Sequence, residues 1–199
     1  MNDDYRQATS DSHNPQPGRV GTAHQNQARR VGTAHQHQTV RERLDAAWSA
    51  LASVTDPEIP VINIVDLGMV AGVRVENGAL AVDLTPTFAG CPALDVIRTD
   101  VVSALSAAGE PDAAVKFVFD PPWTSDRITQ SGLRKLKEFG LAPPGRRCGP
   151  NQMPDLERTP CPYCESTHTR VDTIFGPTLC RSIHYCDSCR QSFEHFKPV

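Results

Sequence analysis

Four of the seven cysteines in this chain are paired by their spacing. Cys161-Pro-Tyr-Cys164 and Cys186-Asp-Ser-Cys189 form C-x₂-C…C-x₂-C with 21 residues between the pairs. Two such knuckles place four thiolates at the corners of a tetrahedron, the closed geometry of a structural zinc site. Mononuclear iron or an iron–sulfur cluster could use the same ligands, with zinc the favoured occupant. Cys180 is a fifth cysteine in this segment, six residues before Cys186. It reads either as a small buried residue or as a free thiol near the metal, able to join or exchange ligands.

Cys91 is placed differently. Thr85-Pro-Thr-Phe-Ala-Gly-Cys91-Pro92 puts it in a loop at the start of an expected helix. There it reads either as an indifferent cap or as a thiol that unpaired N–H groups and the helix dipole acidify and sharpen as a nucleophile or soft-metal ligand. Asp56 and Glu58, in Asp56-Pro-Glu-Ile-Pro60, are the carboxylates of the other irregular stretch; they read as turn formers or as neighbours of Cys91. No histidine occurs between residues 40 and 145. A Cys–His or Ser–His–Asp machine is therefore excluded there unless His168 or His184 is lent from the C-terminal segment. No Gly-rich phosphate loop follows any expected strand, so the domain is poorly equipped to catalyse alone.

The elements that must position these cysteines follow from periodicity. Val40, Leu44, Ala47, Trp48 and Leu51 recur at helical spacing, and Val54 continues the stripe, predicting a helix over 40–54 that stops before Asp56-Pro57. Alternating runs 69–75 and 79–84 flank Asn77-Gly78, a hairpin signal. A second helix is predicted over 92–108, with Pro92 in its first turn and Gly109 as its stop. A third strand is predicted over 114–119, and a third helix over 125–139 ending at Gly140. The Asp120-Pro-Pro-Trp123 loop between them is expected to pack and stiffen rather than contact a ligand. Residues 40–142 thus form a small α/β domain of three helices and about three strands. Pro-rich residues 143–159 read as a linker containing an incidental Cys148. The 40 residues of 160–199 are too few to hold a core unaided, and a metal-stapled ribbon with its strands within 169–185 and Phe193 and Phe196 packing behind them resolves that shortage.

Residues 1–39 carry six Gln, four His and no helical or strand period, and read as a disordered tail. Arg-Val-Gly-Thr-Ala-His-Gln occurs at 19–25 and again at 30–36, too few units for a solenoid. His24, His35 and His37 make at best a weak metal site; translated repetitive DNA upstream of the true start is the simpler reading.

Composition narrows the function classes. The 20 Lys+Arg against 23 Asp+Glu give a net charge of −3, which argues against a generic nucleic-acid binder. Residues 160–199 hold four basic and four acidic residues and no basic stripe, against a nucleic-acid-reading ribbon. Cys-Pro-Tyr-Cys is also a glutaredoxin-type dithiol, but only 35 residues follow Cys164, too few for the βαβ body that fold requires. No stretch reaches the length of a membrane span and no signal-peptide core opens the chain, so a cytoplasmic location is expected.

Taken together, Asp56-Pro-Glu-Ile-Pro…Asp66-Leu-Gly-Met-Val70, Thr85…Gly90-Cys91-Pro92 and Pro121-Pro-Trp123 resemble the metal–sulfur cluster assembly family. The tail, Phe175-Gly-Pro-Thr-Leu-Cys180, Cys186-x₂-Cys189 and Phe193-Glu-His-Phe-Lys197, narrows the resemblance to PaaD-like accessory subunits of the phenylacetyl-CoA ring-1,2-epoxidase system. The match runs from about residue 40 to the end; it departs at Gln191-Ser192, where a proline before Phe193 is expected, and at Pro198-Val199.

The resemblance implies a non-catalytic role in aerobic phenylacetate degradation, helping to mature an epoxidase with a diiron oxygenase and a flavin and iron–sulfur reductase as partners. It implies Cys91 as the thiolate handling iron or a transient Fe–S cluster, with Asp56 and Glu58 beside it. Cys161, Cys164, Cys186 and Cys189 carry over as ribbon ligands for zinc, and Cys180 as an extra thiol of undefined role. The alternatives are a structural subunit of the epoxidase with Cys91 inert, and a zinc-ribbon regulator that binds nucleic acid.

Overall fold

Thr39 opens the first helix by a reciprocal cap: its hydroxyl accepts from the Glu42 N–H at 3.2 Å, and the Glu42 carboxylate accepts from the Thr39 N–H at 2.8 Å. The computed structural model describes residues 39–145 and 159–198. The expectations for the N-terminal tail, for His24, His35 and His37, and for Cys148 fall outside the described residues.

Helix α1 covers Val40–Leu51, three residues shorter than its apolar stripe. The Ser53 hydroxyl bonds the Ala50 carbonyl at 2.7 Å, and Val54 turns inward just beyond the helix. Ala47 and Leu51 form the buried face, while Val40 and Trp48 stay on the exposed side. Strands β1 (Val70–Glu76) and β2 (Ala79–Leu84) pair antiparallel around Asn77 and Gly78. Both turn residues have positive φ (51° and 84°), the turn whose twist matches that of the strands. Helix α2 (Leu94–Ala107) then crosses over so that β3 (Ala114–Phe117) pairs parallel to β2. Ile97, Val101 and Leu105 of α2 lie fully buried against Leu80, Val82 and Leu84 of β2 in one core. The Arg43 guanidinium grips the Glu110 carboxylate at 2.6 and 2.7 Å, tying α1 to the turn after α2.

Three boundaries differ from the periodicity. Helix α2 begins at Leu94 rather than Pro92, because residues 91–93 make a separate turn closed by Leu94 N–H to the Cys91 carbonyl at 3.4 Å. Strand β3 stops at Phe117, leaving Phe119 exposed. The expected third helix splits into a 3₁₀ turn, Ser125–Arg127, and α3, Gln130–Glu138, since Thr129 leaves helical geometry to cap α3 through the Gly132 N–H at 3.0 Å. Gly140 (φ 87°) ends α3.

A short strand β4 (Leu141–Ala142), which the sequence does not announce, follows α3. The C-terminal strands are β5 (Thr169–Thr173), β6 (Arg181–Cys186) and β7 (Gln191–Phe196), an antiparallel ribbon. Strand β4 pairs parallel to β7 and completes a sheet in the order β4-β7-β6-β5. Phe196, at the end of β7, is buried in the same cluster as the α/β core, its ring 6.0 Å from that of Trp123. The Trp123 indole N–H in turn bonds the Leu67 carbonyl at 3.0 Å, so this loop packs as expected. The ribbon therefore draws stability from docking as well as from its cysteines. Among the described residues no helix is long and apolar enough to cross a membrane.

Candidate metal and thiol sites

The two knuckles meet at the ribbon's end. The sulfur atoms of Cys161, Cys164, Cys186 and Cys189 all lie within 4.8 Å of one another, with Cys161–Cys189 and Cys164–Cys186 each at 3.6 Å. These separations are too long for disulfides. They approach the roughly 3.8 Å edge of a tetrahedron of sulfurs about 2.3 Å from a central ion.

The protons tell the same story. Cys186 is lowered to about 7, first by the Cys189 N–H, then by the Ser188 N–H and the Cys164 thiol working against burial. Cys189 is pushed up to about 12 by burial and by the three neighbouring sulfurs. Four thiolates cannot share this volume without a cation, so the donor set fits a thiophilic metal ion. Phe193 packs behind Cys161 and Cys186.

A second group forms where the ribbon meets the α/β domain. The Asp56 Oδ1 accepts the N–H groups of Glu58 and Ile59 at 2.8 and 2.9 Å, holding the 56–59 turn together. Burial raises the Asp56 pKa above its ordinary value, opposed by these N–H bonds and by the Arg181 charge. Cys91 stands within the electrostatic reach of Asp56 and Glu58, as the resemblance implies. Its thiol, however, is raised rather than lowered. Burial outweighs the single N–H of Ala93, and the Asp56, Cys180 and Glu58 charges push the same way. Of the two readings of Cys91, the helix-activated thiolate is disfavoured: α2 starts three residues later, and burial raises the thiol.

Cys180 is not near the four-cysteine cluster, nor is it buried on its own. It lies at the opposite end of β6, partly buried against the α/β core, with its thiol 3.1 Å from the Thr178 hydroxyl. The next residue, Arg181, carries no mark in the sequence. It is nine-tenths buried, donates from Nη2 to the Glu58 carbonyl at 2.7 Å and from Nη1 to Glu194 at 2.7 Å, and ties the ribbon to the Asp56 turn. Arginine is usually exposed, and this partner lies 123 residues away, so no local signal reveals it. His184 is not lent to Cys91; its ring stacks on Phe193 within the ribbon. His168 is exposed on the ribbon.

Asp66, which opens the Asp66-Leu-Gly-Met-Val70 motif without being read as a site residue, anchors α3. Its carboxylate accepts from Thr129 at 2.6 Å and from the Lys135 ammonium at 2.6 Å. Gly68 beside it has φ 71°, and a Cβ there would sit 2.4 Å from the Arg127 carbonyl oxygen; only glycine permits this approach.

Comparison with known proteins defines the class first: residues 44–117 match an iron–sulfur cluster assembly protein family, and residues 148–197 match the PaaD zinc β-ribbon domain. The chain is 38% identical over 153 residues to a subunit of the "Putative 1,2-phenylacetyl-CoA epoxidase" of Escherichia coli (strain K12), spanning 76% of this chain and 91% of that protein. It belongs to the PaaD family. It is also 40% identical over 83 residues to the Fe-S protein maturation auxiliary factor YitW of Bacillus subtilis (strain 168), covering 41% of this chain and 80% of that one. The crystal structure of a domain of unknown function, DUF59, from Bacillus anthracis is similar at 29% identity and a TM-score of 0.45, covering 48% of this chain and 92% of that one.

Proposed function

We propose that this protein is an accessory maturation subunit of the multicomponent phenylacetyl-CoA 1,2-epoxidase, acting in aerobic phenylacetate degradation on iron or Fe–S clusters destined for its partners. Cys91 handles this cargo, and Asp56 and Glu58 attend it. Cys161, Cys164, Cys186 and Cys189 hold a structural zinc ion that keeps the ribbon folded. The partners are the diiron oxygenase and the flavin and iron–sulfur reductase, met in the cytoplasm.

The single observation that carries this reading is the convergence of Cys91 with Asp56 and Glu58 at a partly open position. A thiol with carboxylate neighbours suits an iron cargo that must leave again, whereas tight cluster binding normally uses four protein thiolates. The names of the relatives, a phenylacetyl-CoA epoxidase component and Fe-S maturation auxiliary factors, point the same way.

The test is phenylacetyl-CoA epoxidation in cells carrying Cys91→Ala, with iron and sulfide assayed in the purified oxygenase and reductase. Loss of activity together with metal-poor partners is expected. Full activity with full metal content would make Cys91 inert and the protein a structural subunit, a reading favoured by the raised thiol pKa. The nucleic-acid alternative finds little support: of the ribbon's four cations, Arg181 is buried and Arg170 is paired with Asp187 and laid over Tyr185.

A further inference from the structure

Residues 174–179, which join β5 to β6, hold apolar side chains out in water. Three of the six are large and apolar, and none is buried: Phe175 is 71% exposed, Ile174 50% and Leu179 48%. The backbone beneath them is pinned. The Phe175 N–H donates to the Thr173 hydroxyl at 3.1 Å, and the Lys197 ammonium donates to the Ile174 carbonyl at 3.3 Å. The Gly176 N–H donates to the Arg181 carbonyl at 3.0 Å, and the Arg181 N–H donates back to the Thr178 carbonyl at 3.1 Å. A Cβ at Gly176 would sit 2.9 Å from that Arg181 carbonyl, so glycine lets the loop close this tightly.

The loop continues onto the α/β domain. A Cβ at Gly90 would lie 3.5 Å from the Phe88 ring and 4.0 Å from the Leu179 side chain, so the two loops meet at that bare glycine. Phe88 is itself 38% exposed. At roughly 200 Å² for each large side chain, the four leave on the order of 400 Å² of largely apolar surface in water. Exposed apolar residues scattered singly need no explanation, whereas a contiguous patch on a rigid frame marks an interaction site. Its area is about half the roughly 800 Å² that each partner gives to a stable interface, too little for a lasting pair of identical chains and suited to a partner that comes and goes.

Resting on the function proposed above, we infer that residues 174–179 of the ribbon and Phe88 of the α/β domain are one docking surface, by which the chain transiently engages the metal-free diiron oxygenase beside Cys91. Phe175, the most exposed of the four, enters an apolar recess on the oxygenase, and Leu179 and Phe88 close around its rim. The pinned backbone holds these side chains ready, so little conformational freedom is lost on binding. Cys91 follows Gly90 directly in the chain, which brings a protein seated on the patch to the cargo thiol. One cargo thiol supplies far fewer ligands than the four a cluster takes, and this favours the oxygenase over the iron–sulfur reductase as the occupant. The ribbon thus recruits the client as well as bracing the fold.

The test measures binding of the full chain to metal-free oxygenase by titration calorimetry, with the reductase as a second arm and sedimentation of the chain alone as a third. Phe175→Ser and Phe88→Ser are each expected to raise the Kd for the oxygenase about tenfold or more, as loss of an aromatic anchor does. Val40→Ser is the control: Val40 is 56% exposed on α1, which the Arg43 bond to Gly78 sets at the other end of β2, and its Kd is expected to match the parent. Ribbon zinc and the unfolding midpoint are expected to be unchanged in Phe175→Ser, whose side chain lies in water. An unchanged Kd in Phe175→Ser overturns the inference, as does an equal loss in Val40→Ser or failure of the parent to bind the oxygenase. Weakening confined to the reductase overturns it too, and self-association that Phe175→Ser abolishes with oxygenase binding intact makes the occupant a second copy. An unchanged Kd in Phe175→Ser beside metal-poor partners in Cys91→Ala removes only this inference and leaves the proposed function standing.

Discussion

The two cysteine groups of this protein lie at opposite ends of strand β6 and differ in every property that governs metal exchange. The ribbon group is sulfur only, with its four atoms inside 4.8 Å and contributed by one short segment of chain. The Cys91 group joins sulfur to carboxylate, draws on three separated segments, and keeps its thiol raised. A closed thiolate cage is suited to permanent residence. A mixed, partly open set of one thiol beside carboxylates is less closed, and suits a ligand that must leave again. The same strand anchors both, so loss of the closed site disturbs the open one.

The largest expected effect tests that dependence. Cys161→Ser is expected to lose the ribbon metal and unfold strands β5 to β7, because structural zinc supplies on the order of 10 kcal/mol of folding free energy in small ribbons. Zinc analysis and hydrogen exchange would read it. If β6 and β7 stay protected without metal, docking alone holds the ribbon and the contrast collapses. Phe196→Ala comes next. The side chain is fully buried against Trp123, and its removal is expected to cost about 3–5 kcal/mol in thermal or denaturant unfolding while zinc stays bound.

Much of this is legible from types and spacing, for stated reasons. The hairpin at Asn77-Gly78 and the stop at Gly140 are local, since each depends on a positive φ that few residues accept. The four-cysteine cage is legible because metal geometry constrains spacing. What escapes is long-range. Strand β4 has only two residues and no period of its own; it exists because β7 lies beside it. The burial of Arg181 and the packing of Cys180 on the α/β core depend on how the ribbon docks, which no window of sequence encodes. The Cys91 thiol goes against its helix-activated reading for a related reason: the helix start slips to Leu94, and burial beside two carboxylates wins.

A smaller effect separates ribbon packing from ribbon metal. His195 and His184 meet edge to face at 5.0 Å inside the ribbon. Burial, then the neighbouring His184 charge, lowers His195 to about 3, against a bond to the Pro143 backbone. The unfolded chain therefore binds a proton between about pH 6.5 and 3 that the folded chain refuses. Stability contributed by the neutral ring is full above the upper bound and falls as pH drops through that window, by at most about 1.4 kcal/mol per pH unit. Denaturant unfolding from pH 7 to 5 is expected to show a shallower decline in His195→Asn than in the parent. An identical slope would show that His195 does not set the acid sensitivity of the ribbon.

Asp56→Asn is expected to move stability least and to sharpen the comparison most. The amide oxygen can still accept the Glu58 and Ile59 N–H groups, so the turn survives. Burial raises the Asp56 pKa, so the folded state holds that proton more tightly than the unfolded chain. The carboxylate's folded-state advantage is present at low pH and is lost as pH rises through its unfolded and then its folded pKa. At neutral pH the buried charge is a burden, and the uncharged variant is expected to unfold at the same denaturant concentration as the parent or a higher one. Zinc in the ribbon should be untouched. Iron at Cys91 should be held more weakly, since a negative neighbour is gone. Stability kept while cargo is lost is the signature of a residue retained for function against the preference of the fold. A destabilised Asp56→Asn with normal iron uptake would reverse the assignment, making the carboxylate a turn former whose place beside Cys91 carries no chemistry.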